Sequence, residues 1–288
     1  MDGVLIDDIV KKVMSEMTNG GSLNVSKDSK EIKSSGFGVF ESLNTAIEEA
    51  HAAQKVYNKY SLEQRREIIS LLRTRLIDCV DEMSEKTVIE TKMGRKADKI
   101  LKNKLAIEKT PGVEDLVTEA FTGDDGLTLV ELSAFGVLGS ITPVTNPTET
   151  IINNTISAIA GGNSIVFCPH PSAKNISIWV IQFINKIISE AGGPKNLVTS
   201  SSEAKKENAD ILFSHEKINM LVVTGGTEIV KLALKSGKKV IGAGAGNPPV
   251  IVDETADIQK AARDIVNGAS FDNNLPCTAE KEVLVLEI

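Results

Sequence analysis

Aromatic residues, cysteine, long apolar runs and positive charge are all scarce in this sequence. Aromatics are 4% of 288 residues, with a single tryptophan, so any core must be assembled from aliphatic side chains. No stretch approaches the roughly 18 uninterrupted apolar residues of a membrane helix. The N-terminus also lacks the basic start and small-residue cleavage site of a secretory signal, and an intracellular, cytoplasmic chain is expected. With 32 basic against 39 acidic residues the net charge is −7, and the lysines are scattered. A nucleic-acid partner, which wants a basic stripe, is therefore not expected. The three cysteines, Cys79, Cys168 and Cys277, are too far apart for a C-x-x-C metal site or a dense disulfide framework, so a special cysteine here works alone and no metal is expected.

What is present falls into segments. "MDGVLIDDIVKKVMSEM" places apolar residues on one stripe and predicts an amphipathic helix over 1–18, docked either on its own domain or in a partner's groove. Residues 19–36, rich in Gly, Ser, Asn and Lys, read as a flexible linker. Helical patterns run from Ser42 to about Lys104, with a capping-box signature at Ser61 and Gln64. "GLTLVELSAFGVLGSITP" suggests a strand, a turn at Phe135–Gly136 and a buried strand. Short apolar strands then alternate with helices as far as "KKVIGAG". This is the α/β pattern of a parallel sheet covered on both faces, with ligands received at the strands' carboxyl ends. A further strand and helix, "NPPVIVDETADIQKAARDIVNGASF", precede a cysteine loop and a final strand, "EVLVLEI", which has no evident neighbour.

Several motifs invite chemistry. Gly225, Gly226 and Thr227 sit between a strand and a helix, where backbone N–H groups can receive a phosphate or simply make a turn. "GAGAGNPP" is rejected as a dinucleotide fingerprint because prolines, not a helix, follow it. In "CPHPSAK", His170 has no relay partner in the pattern and reads as a loop histidine. Cys79 and Cys168 lie in apolar stretches and read as small buried hydrophobes. Cys277, after a proline in the polar loop "FDNNLPCTAEKEV", is the candidate nucleophile.

Taken in order, "ETKMGRKADKILKN", "TPGVEDL", "GSITPVTNPTETIINNTISAIAGGNSIVFCPHPSAK", "GGPKNLV", "VTGGTEIV", "SGKKVIGAGAGNPPVIVD" and "FDNNLPCTAEKEV" resemble the CoA-acylating branch of the aldehyde dehydrogenase superfamily. The similarity is to the propionaldehyde, acetaldehyde and butyraldehyde enzymes of bacterial microcompartments and clostridia, and it runs from about residue 37 onward. It implies a Rossmann-like nucleotide-binding domain over 37–270, including an oligomerisation strand, and the start of a catalytic domain over 271–288.

On the same resemblance, Cys277 adds to a short-chain aldehyde such as propionaldehyde, hydride passes to NAD with NADP left open, and the thioester passes to coenzyme A. The oxyanion donor is carried to Asn146, with Thr145 beside it as the alternative. Nucleotide contacts are carried to Thr142, Pro143 and Thr145, to His170, Pro171 and Ser172, to Gly225, Gly226 and Thr227, and to Gly242, Ala243 and Gly244. At Gly242, hydrolytic relatives hold a glutamate general base. Cys168 falls near the lysine that grips their adenosine ribose. Residues 1–18 resemble a peptide that docks on microcompartment shell proteins, implying a location in the compartment lumen. A homo-oligomer is implied, as is a fragment of a longer catalytic protein. The competing readings are a hydrolytic or semialdehyde dehydrogenase, or a non-catalytic nucleotide-binding or shell-docking module.

Overall fold

The computed structural model describes residues 36–286. The helix expected over 1–18, and the linker over 19–36 apart from Gly36, lie outside the described residues. The helical stretch resolves into α1 (Leu43–Tyr57), α2 (Leu62–Asp78), α3 (Val80–Thr91) and α4 (Lys96–Lys109). The capping box forms as expected: Ser61 Oγ accepts the Gln64 N–H at 3.2 Å, and Gln64 Oε1 accepts the Ser61 N–H at 2.9 Å. Lys92, in the left-handed region at φ 57°, ends α3 and lets α4 turn away.

Two strands follow, β2 (Glu119–Gly123) and β3 (Gly126–Val130), joined as an antiparallel hairpin that is exposed along its whole length. Only β3 was legible beforehand. In "EAFTG" the apolar signal is a single phenylalanine, and the pairing partner supplies the rest.

The central sheet is six-stranded and parallel. It contains β1 (Val39–Phe40), β4 (Val137–Ile141), β5 (Ser164–Cys168), β6 (Val198–Ser201), β7 (Ile218–Thr224) and β8 (Lys239–Ala243), in the order β1-β6-β5-β4-β7-β8. From β4 the chain steps outward to β5 and β6, then returns to lay β7 and β8 on the other side. The crevice between β4 and β7 is thus a topological switch point. Between the strands run α5 (Pro147–Ala160), α6 (Lys174–Glu190), α7 (Glu207–Ser214) and α8 (Thr227–Leu234). Helix α7 starts later than the expected residue 202, because Asn208 Nδ2 donates to Ser201 Oγ at 2.8 Å and to the Glu203 carbonyl at 2.7 Å and holds the approach as a loop.

Helices cover both faces, as the alternation predicts. Within β4 and β5, Leu138, Ile165 and Phe167 join α2, α3, α5 and α6 in one core, while Val137, Ile141, Val166 and Cys168 join α1 and α7 in the other. Successive side chains point to opposite faces, so runs that read as continuously apolar are what a sheet buried on both sides requires.

The last elements leave this sheet. Strand β9 (Pro249–Val252) pairs in parallel with β10 (Glu282–Val285), with Val250 opposite Val283, and α9 (Ile258–Ser270) lies between them in sequence. The final strand therefore does have a neighbour, contrary to expectation. β9 turns away from β8 at the prolines Pro248 and Pro249, which is why linear alternation did not reveal the pairing. Among the described residues no helix is long and apolar enough to cross a membrane.

Candidate active site

All four segments carried over for nucleotide binding emerge at the same edge of the central sheet. Thr142, Pro143 and Thr145 follow β4; His170, Pro171 and Ser172 follow β5; Gly225, Gly226 and Thr227 follow β7; and Gly242 to Gly244 close β8. Parallel strands force this clustering, since every carboxyl end points the same way. Gly226 is the N-cap of α8, has no side-chain capping bond, and would meet nothing within 4 Å if it carried a Cβ. The start of α8 thus has no side-chain cap, and a helix N-terminus left in this way can receive an anion such as a phosphate. His170 spends its Nδ1 on the Ser172 N–H at 3.1 Å, capping its own turn, and burial pushes its pKa below the usual histidine value.

The cysteine loop is built on three consecutive left-handed residues, Asp272, Asn273 and Asn274, at φ 46°, 55° and 60°. Asp and Asn tolerate this region better than other side-chain-bearing residues, so "DNN" is the local code for the bend. Asn274 Nδ2 then donates to the Ala269 carbonyl at 2.6 Å and to the Glu280 carbonyl at 3.0 Å, closing the loop across its base. Cys277 follows Pro276 at the corner of a turn closed by the Ala279 N–H to the Pro276 carbonyl, 3.1 Å, and is exposed. It lines a cavity of about 920 Å³ together with Asn146, Thr224 and Ala243. Thr145 does not line this cavity; its hydroxyl accepts from Asn146 Nδ2 at 3.1 Å.

Asn146 is the N-cap of α5, yet its side chain makes no capping bond. Asparagine is favoured at that position because it caps, so its amide is being used for something else. Its Oδ1 accepts from Lys102 Nζ on α4. The same ammonium lies 2.6 Å from Asp272 Oδ2 and 3.4 Å from Glu149 Oε1. One turn earlier, Lys99 Nζ lies 3.0 Å from Asp272 Oδ2 and donates to the Thr145 carbonyl, and both Lys99 and Asp272 are 0% exposed. The Arg95 N–H bonds Asp272 Oδ1 at 2.9 Å, and Asp98 Oδ2 accepts the Asp272 N–H at 2.9 Å.

Burial alone would push Asp272 up, but the Lys102 hydrogen bond and the Arg95 N–H outweigh it and hold the carboxyl below its usual range. Its contribution to stability is therefore fully present above the unfolded value of about 3.9 and is lost as pH falls through the depressed folded value. Burial likewise opposes the Lys102 charge, yet Glu149 and Asp272 raise its pKa. Lys99 is pushed down, first by burial and then by the Lys102 charge beside it.

The remaining thiols are inert by comparison. Cys168 is buried, as its apolar strand suggests, and its thiol is raised to about 12; Cys79 is only half-buried, short of the burial expected, and its thiol is raised to about 11.

The aldehyde dehydrogenase family model matches residues 26–287. The chain belongs to the aldehyde dehydrogenase family. Among family members it is 53% identical over 256 residues to a propanal dehydrogenase (CoA-propanoylating) of Salmonella typhimurium, covering 89% of this chain and 55% of that protein. A crystal structure of Rhodopseudomonas palustris propionaldehyde dehydrogenase with bound CoA and an acylated cysteine superposes with a TM-score of 0.85 at 52% identity, over 88% of this chain and 58% of that one. A propionaldehyde dehydrogenase from the fucose utilisation microcompartment of Clostridium phytofermentans gives 0.85 at 53% identity, over 87% and 57%. The chain spans little more than half the length of these family relatives.

Within this aldehyde dehydrogenase framework, sequence reasoning did not find Lys99, Lys102, Asp272, Glu149 or Gly246. "KADKILKNK" looks like a solvated charged face, and nothing local shows that two of its lysines point inward. The available signal was their i, i+3 spacing, with the polar Asn103 at i+4 from Lys99, on a helix with few apolar residues to bury. Gly246 is defined by what it leaves room for: a Cβ there would sit 2.2 Å from the Cys277 carbonyl oxygen.

Proposed function

We propose that this chain carries the nucleotide-binding part and the nucleophile of a CoA-acylating aldehyde dehydrogenase that oxidises a short-chain aldehyde, propionaldehyde by preference, to its acyl-CoA. The observation that carries the reading is the convergence of Cys277 and Asn146 on one cavity at the carboxyl edge of a parallel sheet. The Cys277 sulfur bonds the carbonyl carbon and later holds the acyl group as a thioester. Asn146 Nδ2 donates to the oxygen as charge develops there. Gly225, Gly226 and Thr227, with Thr142, Pro143 and the residues around His170 and Gly242, would hold the dinucleotide. When bound, NAD takes the hydride from the carbonyl carbon and coenzyme A supplies the accepting thiol.

A water-using variant would need a carboxylate base. Gly242 and Ala243 offer none at the end of β8. Glu149 is engaged by Lys102, which leaves Glu280 in the cavity wall as the one to test. The discriminating assay follows NADH formation from propionaldehyde by the full-length gene product. NADH is expected only when coenzyme A is present. Equal rates with and without it would make water the acceptor and overturn the proposal.

The same reading assigns the exposed apolar side chains of the hairpin, Phe121, Leu127 and Leu129, to contact with a second copy of the protein. It assigns residues 1–18 to a microcompartment shell partner and the enzyme to that lumen. Deleting 1–18 is expected to abolish co-purification with shell proteins while leaving turnover unchanged; retained co-purification would remove that assignment.

A further inference from the structure

The amide of Asn146 has two ends of similar size and opposite hydrogen-bonding character, and only one end is useful to an oxyanion. Nothing in the backbone fixes which end faces the cavity, because Asn146 does not cap its helix. The neighbour that touches it does. An ammonium has donors and no acceptor, so Lys102 Nζ selects the carbonyl end, Oδ1. That leaves Nδ2, of which one N–H goes to Thr145 Oγ1 at 3.1 Å; the other has no partner among the described residues, and Asn146 lines the cavity that holds Cys277.

Lys102 is itself held. Asp272 Oδ2 at 2.6 Å and Glu149 Oε1 at 3.4 Å flank its ammonium, and its side chain is 11% exposed. Asp272 lies five residues before Cys277 in the cysteine loop, so one lysine touches both halves of the site.

We propose that Lys102 is a positioning residue for the oxyanion donor: it polarises and orients the Asn146 amide so that Nδ2 faces the reacting oxygen. The inference rests on the reading of Asn146 as that donor. With Lys102 neutralised, the amide is at liberty to turn over and present Oδ1, which repels the developing charge.

The test uses the full-length protein and four variants: Asn146→Ala, Lys102→Met, the double variant, and Lys102→Gln. The last keeps N–H donors for Asp272 but can also accept from Asn146, so it does not select an end; it replaces Lys102→Met if that protein does not fold. Two readouts are compared: kcat and KM for propionaldehyde, and the rate at which iodoacetamide alkylates Cys277, a displacement that forms no oxyanion.

Asn146→Ala is expected to lower kcat about 100-fold, as loss of one oxyanion donor does. Each Lys102 variant is expected to lower kcat about 10- to 100-fold with KM within about 3-fold. The double variant should be no slower than Asn146→Ala, since residues acting as a unit are not additive. Alkylation should stay within about 2-fold throughout.

Multiplying effects in the double variant would overturn the proposal. So would alkylation slowed as much as kcat, which would show Lys102 acting through Asp272 on the cysteine loop. If Asn146→Ala leaves kcat intact, the oxyanion assignment itself fails. If Asn146→Ala is slow while the Lys102 variants are not, only the positioning role fails.

Discussion

Cys277→Ala is expected to reduce NADH formation from propionaldehyde and coenzyme A by at least about 10⁴-fold while leaving the melting temperature within about 2 °C. The kinetic part follows from the covalent catalysis proposed for Cys277: neither of the other two thiols in this sequence is placed to take over. Cys168 is buried in β5 with its pKa raised to about 12, and Cys79, at the junction of α2 and α3, is raised to about 11. The stability part follows from exposure. The Cys277 side chain packs into no core, and the loop is fixed by its neighbours Asp272 and Asn274 rather than by the thiol. Turnover within about 10-fold of the parent would mean that the nucleophile lies elsewhere. A large drop in melting temperature would mean that the cysteine is structural.

Gly246→Ala is expected to lower kcat about 100-fold, although the change is one methyl group some thirty residues away in sequence. Its Cβ would lie 2.2 Å from the Cys277 carbonyl oxygen and 3.2 Å from the carbonyl carbon, and both are backbone atoms that no rotamer change can move aside. Either the turn at Pro276–Ala279 shifts or the stretch after β8 does. Displacing a nucleophile by about 1 Å typically costs about 100-fold in rate, and overpacking of this kind about 1–3 kcal/mol in stability. The measurement is kcat together with thermal unfolding. Near-parental kcat would show that the approach of these two segments is not needed for catalysis.

Much of the fold could be read in advance, and the reason is periodicity. The alternation from Val137 to Ala243 carries the sheet. Ser61 and Gln64 announce the cap they form, and Cys277 stands out because it breaks every apolar pattern around it. What could not be read depends on contacts between distant segments. β2 has too little apolar signal to be seen without β3. β10 finds β9 only after the chain has left the central sheet. The lysines of α4 look like any charged helix face until Asp272 arrives from the far end of the chain. Thr145 and Asn146, inseparable as a dipeptide, are distinguished by geometry: the cavity is lined by Asn146, while the Thr145 carbonyl and hydroxyl turn to Lys99 and to its neighbour's amide.

The junction between α4 and the cysteine loop also bears on how the protein comes into being. Asp272 is separated from Lys102 by 170 residues and from Arg95 by 177. Everything up to Asp272 must leave the ribosome before these groups can meet, and such distant closures come late in folding because their entropy is spent before any contact rewards it. Under the proposed function, the thiol acquires its aligned amide only when the sheet between them is complete. A copy in which Asp272 has not yet met α4 lacks that alignment, so the proposed chemistry depends on the same closure that completes this part of the fold.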